Sequence, residues 1–133
     1  MTEPLAVELI ADGRANGGAY VVLDVRAPAG TELPPHVASR EDAAILVIAG
    51  ELGAVLPDET RTYAAGEVLC LPRGAPRRLW ARTDVHVVAL ARPASARLID
   101  LVSPPAPSPD DLAVLLLAAG VDVLPATWGS AAR

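Results

Sequence analysis

The chain has 133 residues, of which 52% are hydrophobic, and a formal net charge of −5. That length suits one domain with one sizeable core. The acidic balance excludes a protein whose main task is gripping a phosphate backbone, which needs a basic footprint. No apolar run approaches the ~20 residues that span a bilayer, so neither nucleic acid nor membrane is an expected partner. The N-terminal MTEPLAVELIADG lacks the basic start and cleavage site of a secretory signal. Cys70 is the single cysteine and has no mate for an intrachain disulfide. Both features predict a cytoplasmic protein. Phenylalanine is absent and aromatics reach only 3%, so Val, Leu, Ile and Ala must fill the core.

Residues 4–11, PLAVELIA, suit either a helical turn or a short strand. Residues 13–18 predict a turn, and 19–26 a β-branched strand closed by Pro28 and Gly30. Residues 31–36 are extended, because a residue before proline is pushed out of the helical region. The stretch from Ala43 to Ala49 is a strand with apolar side chains on both faces, which predicts burial between two sheets. Residues 52–56 follow through a tight Gly50-Glu51 corner. Residues 57–60 form a turn and 61–63 a short polar strand, and Gly66 leads into a strand over 68–71. After a corner at 72–76, residues 77–82 and 85–91 alternate across Thr83-Asp84 as two paired strands would.

Beyond Pro93 the composition shifts. Residues 103–109, SPPAPSP, predict a stiff, extended linker. Ser108 as N-cap, Pro109 at the first helical position and Asp110 and Asp111 in the first turn predict a helix over 109–119. Leu112, Leu115, Leu116 and Ala119 recur at helical spacing, and Gly120 supplies the stop. Apolar nearly all round, this helix needs the barrel or a second subunit to cover it. Turn signals about every 8 to 12 residues fit an antiparallel barrel or sandwich, and periodicity alone does not choose between them.

Two segments carry a resemblance that does. Gly30, His36 six residues beyond it, and Gly50 match the glycines and first histidine of a pattern that reads G, five residues, H-x-H, three or four residues, E, six residues, G. Gly66, Pro72 and Gly74 match a second, which reads G, five residues, P-x-G, two residues, H, three residues, N. These segments resemble the two motifs of the cupin superfamily, from about Gly17 to Pro125. The resemblance implies an all-β fold, an antiparallel double-stranded β-helix or jelly-roll barrel over about residues 17–93, with a C-terminal α-helix, in one domain spanning 1–133. Cupin barrels pair through edge strands, so a homodimer is expected.

The resemblance fails at the metal. Where the family places its second histidine, its glutamate, its third histidine and its asparagine, this chain has Ala38, Ala43, Arg77 and Ala81. Of the three histidines and one glutamate that the resemblance implies as ligands only His36 survives, and Arg77 brings a positive charge to the cation's place. Glu41 and Asp42 lie off the ligand position. No metal and no cofactor are expected.

His36 then has two roles open to it: a hydrogen-bonded structural imidazole, or a general acid or base. His86 has the same pair. Arg77, if its strand keeps family parity, points inward. There it either makes a structural salt bridge with Glu41 or Asp42, or it binds a carboxylate or enolate oxygen of a ligand. Arg73, Arg78 and Arg82 alternate faces and predict a solvated stripe. Trp80 should lie outside. Ala38, Ala43, Ile45 and Val47 predict greasy pocket walls, with Ala49 continuing the series. Tyr63 is either a pocket phenol or a surface residue, and Cys70 an inert buried thiol lining the site.

Three functions compete on this pattern. One is a metal-free cupin enzyme performing isomerisation, cyclisation or dehydration by proton transfer on a small hydrophobic carbonyl- or carboxylate-bearing molecule. In it His36 is acid or base, and Arg77 is the clamp on developing oxyanion charge. The others are a non-catalytic binding or sensing cupin, and a metal-dependent oxygenase or isomerase with remodelled ligands. All three take a small-molecule ligand as partner.

Overall fold

The computed structural model describes residues 5–11, 17, 20–37, 42–91, 122–125 and 127–129. Alternating apolar residues run through these segments at the period of two that buries one face of a strand. In chain order the strands are β1 (Ala6–Ala11), β2 (Val21–Ala27), β3 (Glu32–Val37), β4 (Ala43–Ala49), β5 (Glu51–Val55), β6 (Thr60–Ala64), β7 (Val68–Leu71), β8 (Arg77–Ala81), β9 (Val85–Ala91) and β10 (Asp122–Val123). They form two five-stranded sheets, β1-β2-β9-β4-β7 and β10-β3-β8-β5-β6, with every pairing antiparallel. The undecided N-terminal stretch is a strand, β1, bonded along β2.

The inner faces meet in one core. Val47, Leu69, Leu71, Val85 and Val87 from the first sheet pack with Leu52, Ala54, Tyr63, Leu79 and Ala81 from the second. No phenylalanine is needed, because β-branched and leucine side chains interdigitate across the gap. Trp80 lies on the outer side of β8, against Gly53, where a Cβ would stand only 2.2 Å from the indole. Strand β4 is buried on one face only. Its odd-numbered residues from Ala43 to Val47 turn inward, whereas Leu46 and Ile48 stay 37% and 43% exposed. Its second apolar face therefore does not meet another sheet among the described residues.

Strands β8 and β9 are not the hairpin that their alternation predicts. They belong to different sheets, and residues 82–84 carry the chain across. A two-residue hairpin turn of the favoured kind needs positive φ at its centre, and no described residue other than glycine has it. Thr83 and Asp84 instead act as ties. Thr83 Oγ1 accepts from the Glu51 amide at 3.0 Å, and Asp84 Oδ1 accepts from the Ala29 amide at 2.8 Å. The crossings at 28–31, 50, 65–67 and 82–84 therefore share one end of the barrel. Loops 57–59 and 72–76 lie at the other. The linker over 103–109 and the helix over 109–119 fall outside the described residues. Among those residues no helix is long and apolar enough to cross a membrane.

Gly50 is the tightest point of this closure. Its φ is +82°, and a Cβ there would sit 2.1 Å from the Asp84 carbonyl oxygen. Gly50→Ala is expected to destabilise the fold by about 3 kcal/mol through backbone strain and steric clash, measured as a lower urea midpoint at unchanged slope.

Candidate functional site

The site begins with an irregularity in β3. Glu32 pairs with Trp80 and Leu33 with Leu79, but the next pair is His36 with Arg77, so the ladder slips by one residue across Pro34-Pro35. Proline has no N–H to give a ladder, and a bulge is where a strand tolerates it. With strict alternation from the inward Leu33, His36 would face outward. The slip returns it to the interior, opposite Arg77, where both are buried, at 6% and 2% exposure. On its other edge β3 is held by β10, with Asp122 opposite Val37 and Val123 opposite His36. The Leu124 amide donates to the Pro35 carbonyl at 2.7 Å.

That C-terminal strap is fastened from outside by the residue next to Arg77. Arg78 Nη1 donates to the Trp128 carbonyl at 3.1 Å, and its Nη2 pairs with Glu32. Arg78 is therefore not part of a solvated stripe, because its side chain is only 11% exposed. Arg73 and Arg82 are exposed and reach Asp42 and Thr62.

Arg77 points into the barrel, and its guanidinium is held by backbone. Nε donates to the Ala75 carbonyl at 3.1 Å and Nη2 to the Pro72 carbonyl at 2.9 Å, both in the β7–β8 loop. No acidic side chain among the described residues pairs with it. Asp42, an expected partner, is taken by Arg73, whose backbone amide reaches Oδ1 at 2.8 Å and whose Nη2 reaches Oδ2 at 2.9 Å. Glu41 lies outside the described residues. Burial pulls the Arg77 guanidinium below its usual pKa, yet arginine stays charged at any physiological pH. A buried cation without a carboxylate is costly unless something anionic meets it.

The remaining candidates divide. Ala43 and Ile45 face inward at the same end as His36 and Arg77, opposite Leu71 and Leu69. Ala43, Ile45, Leu33 and Ala89 are inward yet only half-buried, so solvent reaches the interior at that end. Val47 and Tyr63 also face inward, but towards the corner end: Val47 pairs with Val87, and Tyr63 with Leu52, which in turn pairs with Ala81. Both are core residues there. Burial raises the Tyr63 phenol above its usual pKa, opposed by the Arg61 guanidinium 4.5 Å above the ring. Ala38 lies outside the described residues.

His86 and Cys70 do not belong to the site. His86 stands on the outer face of its sheet, where Nε2 is 2.6 Å from Asp24 Oδ1. Its neighbours Val85 and Val87 take the inward positions. Cys70 is exposed, because Leu69 and Leu71 point inward and leave it the outer side. Ala49 also leaves the inner row. An extra residue, Ile48, shifts the register after Val47 and sets Ala49 beside His86 outside.

The donor set of the described residues does not fit a metal. Among the described residues no three His, Cys, Asp or Glu side chains converge, and the group opposite His36 is a cation. What convergence of side chains alone could not reveal is the carbonyl collar around Arg77. Every residue has a carbonyl, and only the Pro72-x-Gly74 corner hinted at the turn that aims two of them.

Neither a protein-family model nor a curated protein matches the sequence. Solved structures match the fold. KdgF from a Halomonas species is 22% identical with a TM-score of 0.60, over 68% of this chain and 82% of that one. An RmlC-like cupin from Desulfovibrio desulfuricans is 26% identical with a TM-score of 0.55, over 68% and 83%. The polyketide cyclase RemF from Streptomyces resistomycificus is 22% identical with a TM-score of 0.58, over 69% and 67%. This chain therefore has the fold of the small cupins, an antiparallel double-stranded β-helix. That likeness defines a fold, and activity has to be argued from the site.

Removing the outer fastening should loosen the strap. Arg78→Ala deletes a charged hydrogen bond worth about 1.5 kcal/mol, so the Leu124 amide is expected to exchange with deuterium about tenfold faster while core amides in β9 keep their protection.

Proposed function

We propose that this cupin domain is a metal-independent enzyme that moves protons on a small hydrophobic molecule bearing a carbonyl or carboxylate group. One observation carries the reading: an imidazole and a guanidinium, both buried, are opposite partners on adjacent strands at the half-open end of an apolar barrel. Arg77 supplies a fixed positive charge for an oxygen on which negative charge develops, in surroundings where little water competes. His36, beside it, is the group that takes a proton from the adjacent carbon and returns it elsewhere. Removal at one carbon and return at another is an isomerisation. An enolate that attacks a second carbonyl in the same molecule gives a cyclisation. The likeness to a polyketide cyclase supports the second outcome, and the apolar walls suit such a substrate.

Proton removal is testable without the natural substrate. Wild-type protein, isolated without added metal, is incubated in deuterium oxide with a panel of apolar 1,3-dicarbonyl compounds and β-keto acids, and exchange at the activated carbon is followed by NMR. Exchange above background is expected, unchanged by chelators and reduced about a hundredfold in His36→Gln. Loss of exchange on chelation, with recovery on adding iron, nickel or zinc, would overturn metal independence. Exchange that His36→Gln leaves intact would overturn the role given to the imidazole.

A further inference from the structure

We infer that the ligand of this site is a monoanionic carboxylate on an apolar body, its two oxygens received by the unused N–H groups of Arg77. The inference rests on the proposed function for the location of the site and narrows the substrate class from carbonyl or carboxylate to carboxylate. Three features of the residues lead there.

The first is charge. Arg77 is 2% exposed, and the described residues offer it two backbone carbonyls and no acid. Carbonyls orient a guanidinium but do not neutralise it. A neutral ligand would leave the buried charge as it stands, whereas a carboxylate cancels it. Asp42, just before β4, is already bound by Arg73 through its amide, Nε and Nη2.

The second is donor count. A guanidinium has five N–H groups. One on Nε and one on Nη2 go to Ala75 and Pro72, which leaves both on Nη1 and one on Nη2. That remainder can serve a planar two-oxygen anion, with the collar fixing the angle of approach. Phosphate carries more charge and more acceptor positions than one guanidinium meets, and its surplus would face apolar walls.

The third is the lining. Among the described residues, Leu33, Ala43, Ile45 and Ala89 are inward, half-buried side chains at this end, and none of these four has a polar atom. The part of the ligand beyond its carboxylate therefore gains by being apolar.

Binding of hexanoate to the full chain near pH 7, measured by calorimetry, tests this against hexanamide, acetate and inorganic phosphate. Hexanoate is expected to bind at least about tenfold more tightly than each of the three. It should move the Arg77 Nε signal in ¹⁵N NMR of the wild-type protein, a readout that needs no variant. Arg77→Met should lose hexanoate binding by at least about tenfold, and His36→Gln should keep it. Equal binding of hexanoate and hexanamide, preference for phosphate, or a stationary Arg77 signal on saturation would overturn the inference. Hexanoate binding that survives in His36→Gln, in a protein whose wild type exchanges no carbon-bound proton, would uphold the carboxylate site and overturn the enzyme reading alone.

Discussion

A one-residue slip in a single ladder decides what the interior of this barrel contains. Were β3 to alternate without interruption from Leu33, the imidazole of His36 would lie in the outer wall, and the inner wall opposite Arg77 would present another side chain. The slip coincides with two prolines, which have no amide protons to keep the ladder in step. It is held from one side by β8 and from the other by the strap at β10 and Leu124. Sequence, ladder and site are joined here by the absence of a hydrogen bond.

Arg77 shows the opposite relation between stability and function. A core of Val, Leu and Ala gains nothing from a guanidinium, and the two carbonyls that hold it reduce the cost of burial without removing it. Its neighbour Arg78, pointing to the other side of the same strand, is satisfied by Glu32 and the Trp128 carbonyl. The pair differ by one position in the chain and by the whole thickness of the sheet. One arginine fastens structure, and the other is met by two carbonyls and by no acidic side chain among the described residues.

Much of the architecture was legible in the residues. Gly50 and Gly74 stand where the chain needs positive φ, at +82° and +79°, and the apolar runs gave most strands within a residue or two. The inward direction of Arg77 followed from strand parity, as did the outward direction of Trp80. What parity alone misplaced lies beyond a bulge, because one extra residue inverts everything after it. Ala49 is outside for that reason. His86 and Cys70 were missed because the face of a short apolar strand is fixed by its partners, and those are distant in sequence. The β8–β9 hairpin failed because alternation describes a strand and not its sheet. Asp42 was weighed for Arg77 and belongs to Arg73, a choice made by loop geometry that no spacing records.

The clustering of crossings at one end has an implication for how such a domain can diversify. The segments that close the barrel, with Gly30 bonded to Ala81, Gly50 seated against Asp84 and Gly66 bonded to Val47, form a foundation remote from His36 and Arg77. Loops at the opposite rim bear none of those ties. Apart from the carbonyls of Pro72 and Ala75 that hold Arg77, their length and chemistry can be recut for new substrates, by evolution or by engineering, while the base of the vessel is left standing.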